Sequence, residues 1–153
     1  MLRSWRRDME ERVRELVPVA LPHEGAMRWV KEAALSADGS EAMGRGVIGA
    51  GHAFVVEGRL QEAALVEVMA QGAAAGSLLR ALREGKRVKR GLLVGVREFV
   101  VPEPVLVGAQ GVVVEILARQ EKAFGKLSQV YLEARVAEVV VARGRMTFHL
   151  EIE

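Results

Sequence analysis

The apolar positions follow helical spacing in two stretches and strand-like alternation elsewhere. Trp5, Met9, Val13 and Leu16 recur at helical intervals with Arg, Asp and Glu between them. They predict a short amphipathic helix over about residues 5–17, closed by Pro18 and Pro22. "AMRWVKEAALSADGS" reads as a strand that runs into a polar turn at Asp38-Gly39, and "EAMGRGVIG" as a second, glycine-broken strand. From Arg90 onward the period is that of strands. "GLLVGVREFVV" is a nearly continuous apolar run, "PEPVLVG" a proline-marked connection and "GVVVEILAR" a further strand. Val130, Leu132, Ala134 and Val136 then alternate with polar neighbours, as do Met146, Phe148, Leu150 and Ile152.

Between these halves lies the segment from about Leu60 to Leu82, ending at "REGK", where Gly85 suits a left-handed helix cap. Leu60, Ala64, Glu67, Val68, Gln71, Ala75, Leu78 and Leu82 share one helical stripe. The helix is apolar on nearly all sides and rich in Ala and Gly, so it must be enclosed. A strongly curved antiparallel sheet would enclose it, with the small residues admitting close approach. The expected class is α+β, a hotdog fold in which a curved antiparallel sheet wraps a long central helix. The length of 153 residues suits one such domain, 1–153, with no linker to divide it.

Composition adds exclusions. Half the residues are hydrophobic and 27% are charged, which is globular composition. Lys plus Arg is 22 and Asp plus Glu is 20, a net charge of +2, so any electrostatic partner must be met by a local patch. Cysteine is absent, which removes disulfides, thiolate metal sites and Cys nucleophiles together. The basic N-terminus mixes acids into a helical pattern and lacks a signal-like apolar core, so a cytoplasmic protein without a targeting segment is expected. The apolar helix carries an ionisable group and little Leu, which points to a buried helix and not a membrane span.

Chemistry concentrates on a few residues. Glu67 is the one charge in "ALVEVMAQGAAAGSLL". An acid alone on a buried stripe is either paired with a cation from another segment or kept for proton transfer. His52 stands in "GAGHAFVVEG", a loop leading toward the N-terminus of the same helix. His23, His52 and His149 are dispersed with no metal-ligand spacing, and no serine sits in a nucleophile elbow, so neither a metal site nor a serine hydrolase is expected. "GRGVIG" matches G-x-G-x-x-G but opens no helix, which removes the phosphate-binding mechanism. The basic run "RALREGKRVKR" is either a solvated helix end or a docking face for an acidic partner. It lacks interleaved aromatics, which disfavours nucleic acid.

Four stretches together resemble the bacterial hotdog-fold 3-hydroxyacyl-carrier-protein dehydratases: "LPHEGAM" at 21–27, "LVEVMAQGAAA" at 65–75, "GLLVGVREF" at 91–99 and "GRMTF" at 144–148. The Glu67, Ala70, Gln71 turn is the most specific piece. The loop "HAFVVEGRLQEA" lacks the prolines of the main family, and with "LPHEGAM" the set looks more like the divergent dehydratases of aryl-polyene synthesis. The resemblance implies a dimer with an acyl tunnel at the interface. In it a loop histidine, His52 or else His23, takes the C2 proton, and Glu67 of the partner subunit protonates the 3-hydroxyl.

It also implies Gly58, Gln71 and Gly95 along the substrate path, with backbone N–H groups near Gly58 polarising the thioester. Arg83, Lys86, Arg87 and Arg90 become a carrier-protein docking face. No cofactor is implied beyond the phosphopantetheine that carries the substrate. The implied partners are an acyl carrier protein or CoA thioester and a second hotdog subunit, identical or different, without nucleic acid or membrane. An acyl thioesterase and a noncatalytic acyl-binding subunit of a heterodimer remain the alternatives.

Overall fold

A computed structural model describes residues 15–19 and 28–153. The helix expected over about 5–17 and "LPHEGAM" with His23 therefore fall largely or wholly outside the described residues. Where the former overlaps them, Val17–Pro18 form a short strand, β1.

β2 (Val30–Leu35) and β3 (Glu41–Ile48) form a hairpin around the polar turn, and a small β4 (Val55–Val56) and β5 (Arg59–Leu60) hairpin follows. Then come the helix α1 (Glu62–Arg83) and the long strands β6 (Val88–Val100), β7 (Val112–Phe124), β8 (Leu127–Val136) and β9 (Val139–Ile152). Seven strands make one antiparallel sheet in the order β1-β2-β3-β7-β8-β9-β6. The helix lies against its concave face, mostly over β2, β3 and β7. This is the hotdog arrangement expected from the sequence.

Glycine lets the helix lie that close. A Cβ on Gly72 would collide with Ile116, and one on Gly76 would stand 2.6 Å from Ala42 Cβ. Gly44 of β3 in turn faces the Gly72 backbone. In "GRGVIG", then, Gly44 and Gly46 belong to a strand, packed against the helix and against the Trp29 carbonyl. Around this contact Leu65, Val68, Met69, Ile116, Leu132 and Met146 are buried almost completely.

Ala64, Val68, Gln71 and Ala75 of the expected stripe are buried, and the covered face of α1 extends to one side of it. Leu60 lies in β5, Leu78 is half-buried and Leu82 is 58% exposed, while Leu65, Met69, Gly72 and Gly76 are covered. Close approach selects the small residues for the sheet side and leaves the terminal leucines outside it. The helix ends as its sequence indicates. Gly85 takes φ 70°, the Lys86 N–H donates to Ala81 O at 2.8 Å and the Gly85 N–H to Leu82 O at 3.0 Å, a Schellman closure.

Arg80 and Arg83 then clamp the β2–β3 turn. Arg80 donates to Gly39 O at 2.7 Å, and Arg83 to Ser36 O and Ala37 O at 2.7 and 2.9 Å.

Candidate active site

Glu67 and Gln71 stand one helical turn apart on α1. Gln71 is fully buried. Its Oε1 accepts the main-chain N–H groups of Trp29 at 2.9 Å and Val30 at 3.1 Å, and its Nε2 donates to Glu67 Oε1 at 3.1 Å. With the oxygen held by two main-chain donors, the amide cannot be reversed, so its nitrogen must face Glu67. Glu67 Oε1 is thereby an acceptor. Glu67 itself is half-buried, at the margin of the covered stripe.

His52 is half-buried in the loop between β3 and β4, where its N–H donates to Gly49 O at 3.1 Å and its carbonyl accepts the Val55 N–H at 2.9 Å. The Phe54 N–H donates to His52 Nδ1 at 3.1 Å. A ring nitrogen that accepts carries the lone pair, so the neutral imidazole holds its hydrogen on Nε2.

The imidazole packs edge-to-face on Trp29, with centroids 4.9 Å apart, and stacks on Phe54 at 5.6 Å. Trp29 connects the pieces. Its main-chain N–H is held by Gln71 and its ring touches His52, so Glu67 and His52 are joined within a single chain. The sequence reading missed Trp29 and Phe54. Their available signals were an aromatic at the mouth of the first alternating segment and another two residues beyond His52.

Gly58, at φ 72°, completes the two-residue β4–β5 turn with Glu57 and accepts the Val107 N–H on its carbonyl at 2.8 Å. Beside it, a cleft of about 560 Å³ is lined by Arg59, Gln61, Glu62 and Ala63 on one side and by Val101 and Pro104 on the other. Glu62 and Ala63, the first two residues of α1, thus stand at the cleft. Gly95 sits apart, at a bulge in β6.

The basic run is largely engaged by the chain itself. Arg83 serves the β2–β3 turn, Arg87 meets Glu153 at 2.6 Å, Arg90 meets Glu151 at 2.7 Å and Lys86 lies 3.9 Å from Glu84. Among the described residues no group of His, Asp and Glu could hold a metal ion, and no helix is long and apolar enough to cross a membrane.

A curved sheet closed around a helix that carries an oriented carboxyl defines a protein of the hotdog fold. The chain belongs to the ApeP-like dehydratase family, whose model matches residues 16–149. Among solved structures, the dehydratase heterocomplex ApeI:P from Xenorhabdus doucetiae contains a chain that matches with a TM-score of 0.70 and 22% identity. That match covers 86% of this chain and 88% of that one. An uncharacterized protein, PH1136, from Pyrococcus horikoshii matches with a TM-score of 0.63 and 15% identity, over 87% and 93% of the two chains. Cj0977, a sigma28-regulated virulence protein from Campylobacter jejuni, matches with a TM-score of 0.61 and 13% identity, over 88% and 84%. No individually curated protein matches.

Proposed function

We propose that the protein dehydrates a 3-hydroxyacyl thioester, carried on an acyl carrier protein or CoA, to the trans-2-enoyl thioester in cytoplasmic fatty-acid or polyene-type synthesis. The observation that carries this reading is the Glu67 carboxyl on the enclosed helix, with Oε1 held by Gln71. In the elimination the carboxylate takes the C2 proton, and the C2–H electron pair becomes the second bond between C2 and C3. The C3–O bond breaks, and the carboxyl returns the proton to the departing hydroxyl, which leaves as water. Glu67 ends as it began, and no further reactant is needed. The first residues of α1, at the cleft beside Gly58, would offer main-chain amides to the thioester carbonyl, where negative charge develops.

A second hotdog subunit, either another copy or a homologue, is the partner proposed for β6. This 13-residue strand, at the edge of the sheet among the described residues, exposes Leu92, Leu93, Val94, Val96 and Val100. Lys86, Arg87 and Arg90 stay exposed beyond their ion pairs and are the proposed contacts for a carrier protein. Arg83 is committed to the turn.

The test is Glu67→Gln in a coupled assay on 3-hydroxyacyl carrier protein. A rate loss of about 10²–10⁴ is expected for removal of a proton-transfer group. Unchanged turnover would sink the assignment, and release of free thiol from acyl-CoA in place of water loss would favour a thioesterase.

A further inference from the structure

The cleft beside Gly58 has a base and a mouth of different chemistry. Leu60, Leu65 and Val105 line it and are buried, so they form an apolar base. Arg59, Gln61 and Glu62 line it and are exposed, so its mouth is polar.

The backbone that carries Arg59 is fixed on both flanks. Arg59 pairs with Val56 across the β4–β5 turn and bridges to Leu106 on the other side, where the Leu60 N–H donates to Val105 O at 2.9 Å. Its guanidinium makes no ion pair or hydrogen bond among the described residues, with Glu62 or any other. An exposed arginine is ordinary surface by itself, but this one stands at the mouth of a cleft of about 560 Å³. The cleft also has a set relation to Glu67. Ala63 lines it and stands one helical turn before Glu67, on the same side of α1 and about 6 Å away along the axis.

An acyl tail does not suit this space, because hydrocarbon would cover the base and leave Arg59, Gln61 and Glu62 with nothing to bond. The pantetheine arm suits it. Its methylene and methyl groups match Leu60, Leu65 and Val105, and its amides and hydroxyl match Gln61 and Glu62. The phosphate at its far end matches Arg59, since a guanidinium binds phosphate oxygens as a fork.

We infer that the cleft holds the pantetheine arm of the substrate and that Arg59 pairs with the phosphate at the end of that arm. This rests on the thioester reading above. Arg59 is then a specificity residue, and the acyl chain lies on the Glu67 side of Ala63. CoA and a carrier protein both present this phosphate, so the contact is common to the two sources.

The probes are pantetheine and phosphopantetheine, which differ only in the phosphate and carry no acyl group. In calorimetric titrations of the full chain at low salt, wild type is expected to bind the phosphorylated probe about 10-fold more tightly. Arg59→Ala should lose most of that preference by weakening the phosphorylated probe alone. Arg59→Lys keeps the charge without the fork and should recover part of it. Arg143→Ala, at an exposed arginine on the outer face of β9, should leave the preference intact. Pro104→Trp narrows the cleft from its exposed wall and should weaken both probes.

No preference in wild type, its survival in Arg59→Ala, or its equal loss in Arg143→Ala overturns the inference. So does undiminished binding of both probes to Pro104→Trp. CoA separates the sources: binding tighter than phosphopantetheine adds contacts to the nucleotide, equal binding leaves the arm as the recognised part, and binding no tighter than pantetheine overturns the phosphate contact. The probes hold nothing to eliminate, so the two readings fail separately. Unchanged turnover in Glu67→Gln removes the dehydration chemistry, while absence of the phosphate preference removes the role of Arg59.

Discussion

Gln71 donates its amide N–H to Glu67 Oε1 at 3.1 Å and is itself fixed by the main chain of Trp29 and Val30. One side chain thus ties the start of β2 to the helix and orients the acid. Gln71→Leu would leave two buried main-chain N–H groups unmet at about 1–3 kcal/mol each. The expected result is a destabilisation of about 2–6 kcal/mol in denaturant melts, with lower turnover per folded molecule. Gln71→Glu keeps an acceptor for both main-chain groups, so it should recover most of the stability but not the activity. Equal stability loss in both variants would contradict the account.

Gly72 tests the close approach of helix and sheet. Alanine would gain about 1 kcal/mol of helix propensity, but its Cβ would collide with the Ile116 side chain. Overpacking of this kind costs about 1–3 kcal/mol, so Gly72→Ala should be neutral to destabilising despite the better helix former. Combined with Ile116→Ala, which empties the contested space, the two effects should be less than additive. Strict additivity in a double-mutant cycle would show that the two positions do not share that space.

Asp38 predicts the acid limb of the stability curve. The Ser40 main-chain N–H, then the Ser40 hydroxyl and the Ser36 hydroxyl, lower its carboxyl pKa from 3.8 to about 2. The folded form therefore holds fewer protons than the unfolded one, and the stabilisation is present above about pH 4 and disappears as pH falls toward 2. Thermal melts of wild type and Asp38→Asn should differ at pH 5 and converge at pH 2. A constant difference across that range would exclude the linkage.

The β6 rim predicts assembly. A long, apolar, unpaired edge is a template for another strand unless charge or a bulge protects it. Val94→Lys with Leu92→Glu should shift the protein to monomer in light scattering while leaving the helix content of the fold unchanged. A protein that is already monomeric before substitution, with no second hotdog chain present, would remove the proposed partner.

Much of the fold was legible because periodicity reports burial directly. The alternation of Val130, Leu132 and Ala134 and the run of Val114, Ile116 and Ala118 reappear as the inner faces of β8 and β7. Gly85 stood where the helix cap required it. The two-residue turn at Ala137 and Glu138 was not legible. Both take positive φ, 48° and 69°, although neither is the Gly or Asn that marks such a turn, so the pairing of β8 with β9 imposes the conformation.

The site divided in the same way. By itself the sequence determined that an acid and an amide share one helical turn of an enclosed helix, because side-chain spacing along a helix is set by covalent geometry. Only the tertiary structure decided that Gln71 spends its oxygen on the start of β2 and that Trp29 joins the acid to His52. It also decided that the Phe54 N–H meets the imidazole at Nδ1. Those relationships cross from strand and loop to helix, and they depend on how closely Gly72 and Gly44 let the two layers meet, a distance that no local pattern of residues encodes.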